Sequence, residues 1–144
     1  MTIVIVGILA SAVFPMAELS VQRTRERELR EALRELRTGI DAYKQAVDEG
    51  RIQKKADESG YPHRLEELVE GVPDAKNPKG GTLVFLRRIP RDPMVRDASV
   101  PEAKTWGKRS YLSSRDDPRE GNDVFDVYSL DKGTGMNSIP YREW

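Results

Sequence analysis

The first 17 residues, MTIVIVGILASAVFPMA, carry no charged side chain, and a helical pattern starts directly behind them with no flexible linker between. Leu29, Leu33, Leu36, Ile40, Tyr43 and Val47 follow one another at spacings of 4, 3, 4, 3 and 4. That rhythm is one apolar stripe on a helix. Gly50, after Asp48-Glu49, suits a C-cap. One helix is therefore expected from Met1 to about Glu49, roughly 70 Å long. Its first part is apolar all round and its last part on one face only, so the rest of the chain must cover the stripe. A coiled coil is the alternative, but six periodic positions fall short of the three or four heptads it needs.

The apolar head spans roughly 26 Å as a helix, a little short of a bilayer core. Three readings suit it: a buried core helix, a cleavable secretory signal, or a membrane helix whose beginning lies upstream of Met1. Ala10-Ser11-Ala12 resembles a signal cleavage site, yet no Lys or Arg precedes the apolar run. The membrane helix is the expectation, because the helical pattern continues without a break. Pro15 lacks an N–H and should kink or locally break the helix.

Arg23, Arg25, Arg27, Arg30, Arg34 and Arg37 interleave with Glu26, Glu28, Glu31 and Glu35. A solvated, self-paired face is expected, with Glu26 and Arg30 as an i,i+4 pair. The alternative, a phosphate-binding face, is largely neutralised by the acids. Over the whole chain Lys+Arg and Asp+Glu are both 24, which argues against nucleic acid as a partner. Cysteine is absent, excluding disulfides and thiolate chemistry.

Behind the long helix, Tyr61-Pro62 introduces a short helix over about 63–70, ending before Gly71. Residues 71–82 read as loop. Leu83–Leu86 is a strand or a helical turn, and residues 91–105 form another loop. Strands are expected over 106–113 and 124–129, joined by a polar connection. The fold class is α+β: a long N-terminal helix packed on a small two- or three-stranded antiparallel sheet. It divides into an apolar transmembrane or filament-core segment, 1–21, and a globular domain, 22–144, whose amphipathic helix covers 22–49.

Catalytic chemistry finds little purchase. His63 is the single histidine and reads as a surface residue. Asp116-Asp117 reads as a solvated loop, with a metal site as the alternative. Lys79-Gly80-Gly81-Thr82 is too short for a phosphate loop. Asp126, Asp131, Asn137 and Ser138 offer oxygens near a glycine-containing turn, either for calcium or for an ordinary turn.

Ile3-Val4-Ile5-Val6-Gly7-Ile8-Leu9-Ala10-Ser11-Ala12-Val13-Phe14-Pro15 resembles the N-terminal helix of type IV pilins and pseudopilins. Tyr61-Pro62 with Leu65–Val69, then Leu86-Arg87-Arg88-Ile89-Pro90-Arg91-Asp92-Pro93, Trp106-Gly107, Phe125–Ser129 and Tyr141–Trp144 resemble the major pseudopilins of type II secretion systems in particular. The resemblance implies a pilin-like fold and a non-enzymatic subunit. Its globular domain would lie in the periplasm, its helix in the bacterial inner membrane. It further implies methylation, a homopolymeric fibre, and a set of partners. These are minor pseudopilins, an inner-membrane assembly platform and its ATPase, a prepilin peptidase and an outer-membrane secretin. Ile3, Ile5, Gly7, Leu9, Val13, Phe14 and Pro15 would pack the filament core. Asp131, with Asn137, would be what remains of a calcium loop. Two departures stand out. The family's processed N terminus, with its aromatic residue and glutamate, would lie about seven residues upstream of Met1. Residues 94–105 intervene where the family joins Asp-Pro to Trp-Gly. The rival reading is a minor pilin at a filament tip, binding DNA, a surface or a substrate through an exposed aromatic or basic patch.

Overall fold

The structure, a computed structural model, describes the backbone of residues 2–144 and the side chains of residues 15–144. One helix, α1 (Thr2–Asp48), dominates an α+β arrangement. It is followed by a single helical turn, α2 (Glu67–Glu70), and two antiparallel pairs. The first pair is β1 (Val72–Pro73) with β2 (Thr82–Leu83), the second β3 (Trp106–Arg109) with β4 (Asp126–Ser129).

Helix α1 continues across Pro15 rather than breaking there. Proline removes one intrahelical hydrogen bond, and the other turns of a 47-residue helix still hold. Pro15 itself is exposed. Ile3, Ile5, Gly7, Leu9, Val13 and Phe14 lie outside the residues whose side chains are described. Among the described residues no helix is long and apolar enough to cross a membrane.

At its far end α1 stops for a local reason. Gly50 adopts φ +72, its N–H donates to the Val47 carbonyl, and the Arg51 N–H reaches back to Ala46. This pair of bonds is a Schellman closure, and the left-handed residue it needs costs glycine nothing.

Leu29, Leu33, Leu36, Ile40, Tyr43 and Val47 are all buried. Full burial of one such side chain stabilises by about 1.5–3 kcal/mol, so the stripe is the main cohesive element of the head. Leu65 and Leu68, Leu86, Trp106 and Val127 cover it. Gly39 sits on the same face because Leu86 packs against it. A Cβ there would lie 2.9 Å from Leu86 Cγ.

The short helix is shorter than expected. Glu67, Leu68 and Val69 donate to carbonyls three residues back, so residues 63–66 enter as a tight turn behind Pro62. Leu83 alone of the Leu83–Leu86 segment joins a strand; Phe85 and Leu86 both donate to the Leu68 carbonyl instead. The expected long strands are also trimmed. The Val124 N–H is taken by Pro62 and the Ser110 N–H by Arg119, so the ladder closes only from Trp106↔Ser129 to Arg109↔Asp126. In place of one sheet of two or three strands there are two separate two-stranded ladders. Gly107 is fixed by its cross-strand partner: a Cβ there would fall 2.3 Å from the Tyr128 ring.

Gly39→Val is expected to destabilise the head by about 1–3 kcal/mol through overpacking against Leu86. In a Leu86→Ala background that cost should shrink markedly. Denaturant unfolding of the four corners of this cycle measures the coupling.

Candidate assembly surface

The residues that suggested chemistry are dispersed. His63 is exposed, with Glu58 at 3.3 Å from one ring nitrogen and Glu67 at 3.4 Å from the other. Asp116 and Asp117 are exposed, and Asp117 pairs with Arg119. Asp131 Oδ1 accepts the Gly133 N–H at 2.7 Å, and Asn137 Oδ1 accepts the Ile139 N–H at 3.0 Å. Both oxygens thus serve local Asx-type turns. Asp126 is bound to Arg37 Nε at 2.8 Å. Among the described residues no group of three or more His, Asp or Glu side chains is placed to hold a metal ion.

The informative polar groups lie elsewhere. Glu26 is buried on α1, where its Oε1 accepts the Tyr141 hydroxyl at 2.9 Å, the Met136 N–H at 2.9 Å and Gln22 Nε2 at 3.1 Å. The expected Glu26–Arg30 pair is not formed. Arg30 instead lies over the Trp144 ring, 4.4 Å from its centroid. Arg37 donates to Asp126 and to the carbonyls of Val127 and Trp144. Three positions spread over about three turns of α1 therefore hold β4 and the C-terminal segment. Sequence spacing missed Glu26 because a glutamate at i,i+4 from an arginine looks like a surface pair. The signal was its position on the stripe side, three residues before Leu29.

Asp92 is the second buried carboxylate. It accepts the Ser129 hydroxyl at 2.7 Å and the Met94 N–H at 2.8 Å, and its own N–H donates to Thr105. These bonds tie both ends of the 94–105 insertion to β4. Arg91 closes the loop further by donating to the carbonyls of Val100 and Asp97. Burial, outweighing its hydrogen bonds, pushes the Asp92 carboxyl above its ordinary value.

The insertion reaches α1. A groove of about 550 Å³ is lined by Val21, Gln22 and Arg25 of α1, by Met94 and Arg96, and by Asp131 and Tyr141. Residues 15–21 of α1 are exposed, Met16 by 71% and Leu19 and Val21 with it, although Ala17, Glu18 and Val21 border this groove. Leu130, Met136 and Ile139 of the C-terminal segment are likewise exposed. The Glu26–Met136 bond holds that segment about two turns along α1 from Leu19.

Along the outward face of α1 the charges are sorted. Arg23, Arg27, Arg30, Arg34 and Arg37 follow at spacings of 4, 3, 4 and 3, which puts them in one row. Glu28, Glu31 and Glu35 form a second row roughly 110° around the helix. Arg23, Arg27, Arg34 and all three glutamates are exposed. Among the described residues none of these six takes part in an ion pair, contrary to the self-paired face expected from sequence.

At the other end of the head, Tyr61, Tyr111 and Phe125 form a cluster with centroids 5.0–5.8 Å apart. Lys44 lies over Tyr61 and Arg109 over Phe125. Tyr111 is exposed, and the neighbouring Leu112 is 93% exposed.

Two outcomes are expected of the buried carboxylates. Glu26→Ala orphans the Tyr141 hydroxyl and the Met136 N–H, and should cost about 2–4 kcal/mol against about 1 kcal/mol for Tyr141→Phe. The double variant should lose less than the sum, as read by denaturant unfolding. For Asp92 the sign follows from its raised pKa. Between 3.8 and that raised value the folded chain binds more protons than the unfolded one, so this group's contribution falls as pH rises. Asp92→Asn, which does not titrate, should therefore gain on the wild type as pH rises through that interval, measured as the difference in denaturant midpoint across pH.

No protein-family model, curated protein or solved structure matches the chain.

Proposed function

We propose that this protein is a structural subunit that polymerises through its N-terminal helix into a pseudopilus or type IV pilus-like filament supporting protein secretion. One observation carries the reading. A charge-free stretch of sequence enters the same helix whose later stripe is buried by the head, while residues 15–21 between them remain uncovered. A charge-free helical run of this length requires an apolar surround, which lipid or other copies of itself would supply. Filament growth exchanges the first surround for the second, with heads arrayed outside.

In this reading the helix starts in a bacterial inner membrane and the head lies in the periplasm. The assembly platform and ATPase, the prepilin peptidase, minor pseudopilins and an outer-membrane secretin are the partners. Asp131 and Asn137 close local turns, and the reading gives calcium no part. The role is mechanical, and no residue set is proposed for catalysis.

The exposed Tyr111 and Leu112 beside Tyr61 and Phe125 favour a second reading, a minor pilin that binds a target at a filament tip. Cellular copy number separates the two, since a main subunit greatly outnumbers a tip protein.

Ile5→Asp or Leu9→Arg is expected to abolish filaments while the head keeps its circular dichroism and cooperative unfolding. Filaments at wild-type yield from either variant, after confirmed membrane insertion, would overturn core packing by this helix.

A further inference from the structure

We propose that the charge-sorted face of α1 is a seam between copies of this chain, with the arginine row of one copy lying against the glutamate row of the next. The inference rests on the filament reading above and names the contact that orders its heads. Arg23, Arg27 and Arg34 span about 16 Å along the axis, and Glu28, Glu31 and Glu35 about 10 Å, so the two rows overlap in height. All six side chains are exposed and form no ion pair among the described residues.

Sorting like charges into rows works against the helix itself. Arg23–Arg27, Arg30–Arg34 and Glu31–Glu35 are like-charged i,i+4 neighbours, which repel in an isolated helix. A partner offering the opposite row turns that repulsion into attraction. Two partner classes are possible in principle. A polyanion such as nucleic acid would meet the arginine row but also the glutamates a third of a turn away. A second copy meets both, because each chain carries a donor row and an acceptor row. Paired in one sense, the arginine row of one copy with the glutamate row of the next, the contact is heterologous and leaves one row free at each end, so it can extend. A two-fold parallel to the helices would pair both rows reciprocally in a closed dimer, which would not sediment as polymer, so sedimentation separates the two.

The chain has equal numbers of acidic and basic residues, so attraction between copies arises from this local sorting rather than from net charge. The upper end of the arginine row is already anchored. Arg30 lies over Trp144 and Arg37 is held by Asp126, so the row is fixed relative to the head.

The test uses the full chain in detergent micelles, with polymer measured by sedimentation at a speed that leaves micelles in the supernatant. One variant carries Arg23→Glu, Arg27→Glu and Arg34→Glu, the other Glu28→Lys, Glu31→Lys and Glu35→Lys. Each alone should lose pelletable polymer about tenfold or more, and an equimolar mixture should recover most of it, since each then meets its complement. Wild-type polymer yield from either variant alone, or no recovery on mixing two folded variants, overturns the seam and leaves the filament reading standing. If the wild type needs its assembly platform to polymerise, the same variants are read as filament yield in bacterial cells, and failure of the wild type there too sinks the filament reading. Should a triple variant unfold, wild-type salt dependence decides. Raising salt from about 0.05 to 0.5 M shortens the screening length severalfold and should cut polymer about tenfold; salt-insensitive polymer overturns the seam.

Discussion

The apolar stripe of α1 from Leu29 to Val47 has to be kept dry, and most of the head is arranged by what keeps it so. Leu65 and Leu68 come from a turn too short to be stable alone. Leu86 comes from an irregular segment, and Trp106 and Val127 from strands of four residues each. None of these pieces holds its shape by local hydrogen bonding, because a single helical turn and isolated two-stranded ladders are marginal in water. They persist because the long helix offers each of them a rigid apolar wall. Gly39 shows how closely they approach it, as Leu86 occupies the volume a side chain at that position would need.

Polar groups then set where each piece stops. The Val124 N–H turns to Pro62, and the Phe85 and Leu86 N–H groups converge on the Leu68 carbonyl. Two buried carboxylates act as fasteners at longer range. Asp92 binds the ends of the insertion to β4, and Glu26 binds the C-terminal segment to α1. Each collects several donors on one side chain, so each is costly to leave unsatisfied and specific in what it joins.

The outward surface of the same helix carries the functional argument. Met16, Leu19 and Val21 are exposed on it, its middle is sorted into rows of opposite charge, and its inner side is fixed to the head. In the filament we propose, these surfaces would sit at constant positions along one rigid helix. The insertion adds a groove at the foot of the head, beside Val21 and Arg25. The sequence marked this segment as extra length but said nothing of its destination.

The sequence by itself determined the long helix, its stripe and its C-terminal stop. Periodicity, an uninterrupted charge-free run and a well-placed glycine are local properties, and local properties are written in order along the chain. It also held the arginine row, although that row read there as a self-paired face. The ends of the strands, the brevity of α2, the burial of Glu26 and Asp92, and the absence of pairs within the charged rows were decided only by tertiary structure. At the strand ends and at Glu26 and Asp92, groups distant in sequence enter as hydrogen-bond partners beside or in place of a near neighbour. Only the folded geometry decides which partner is within reach.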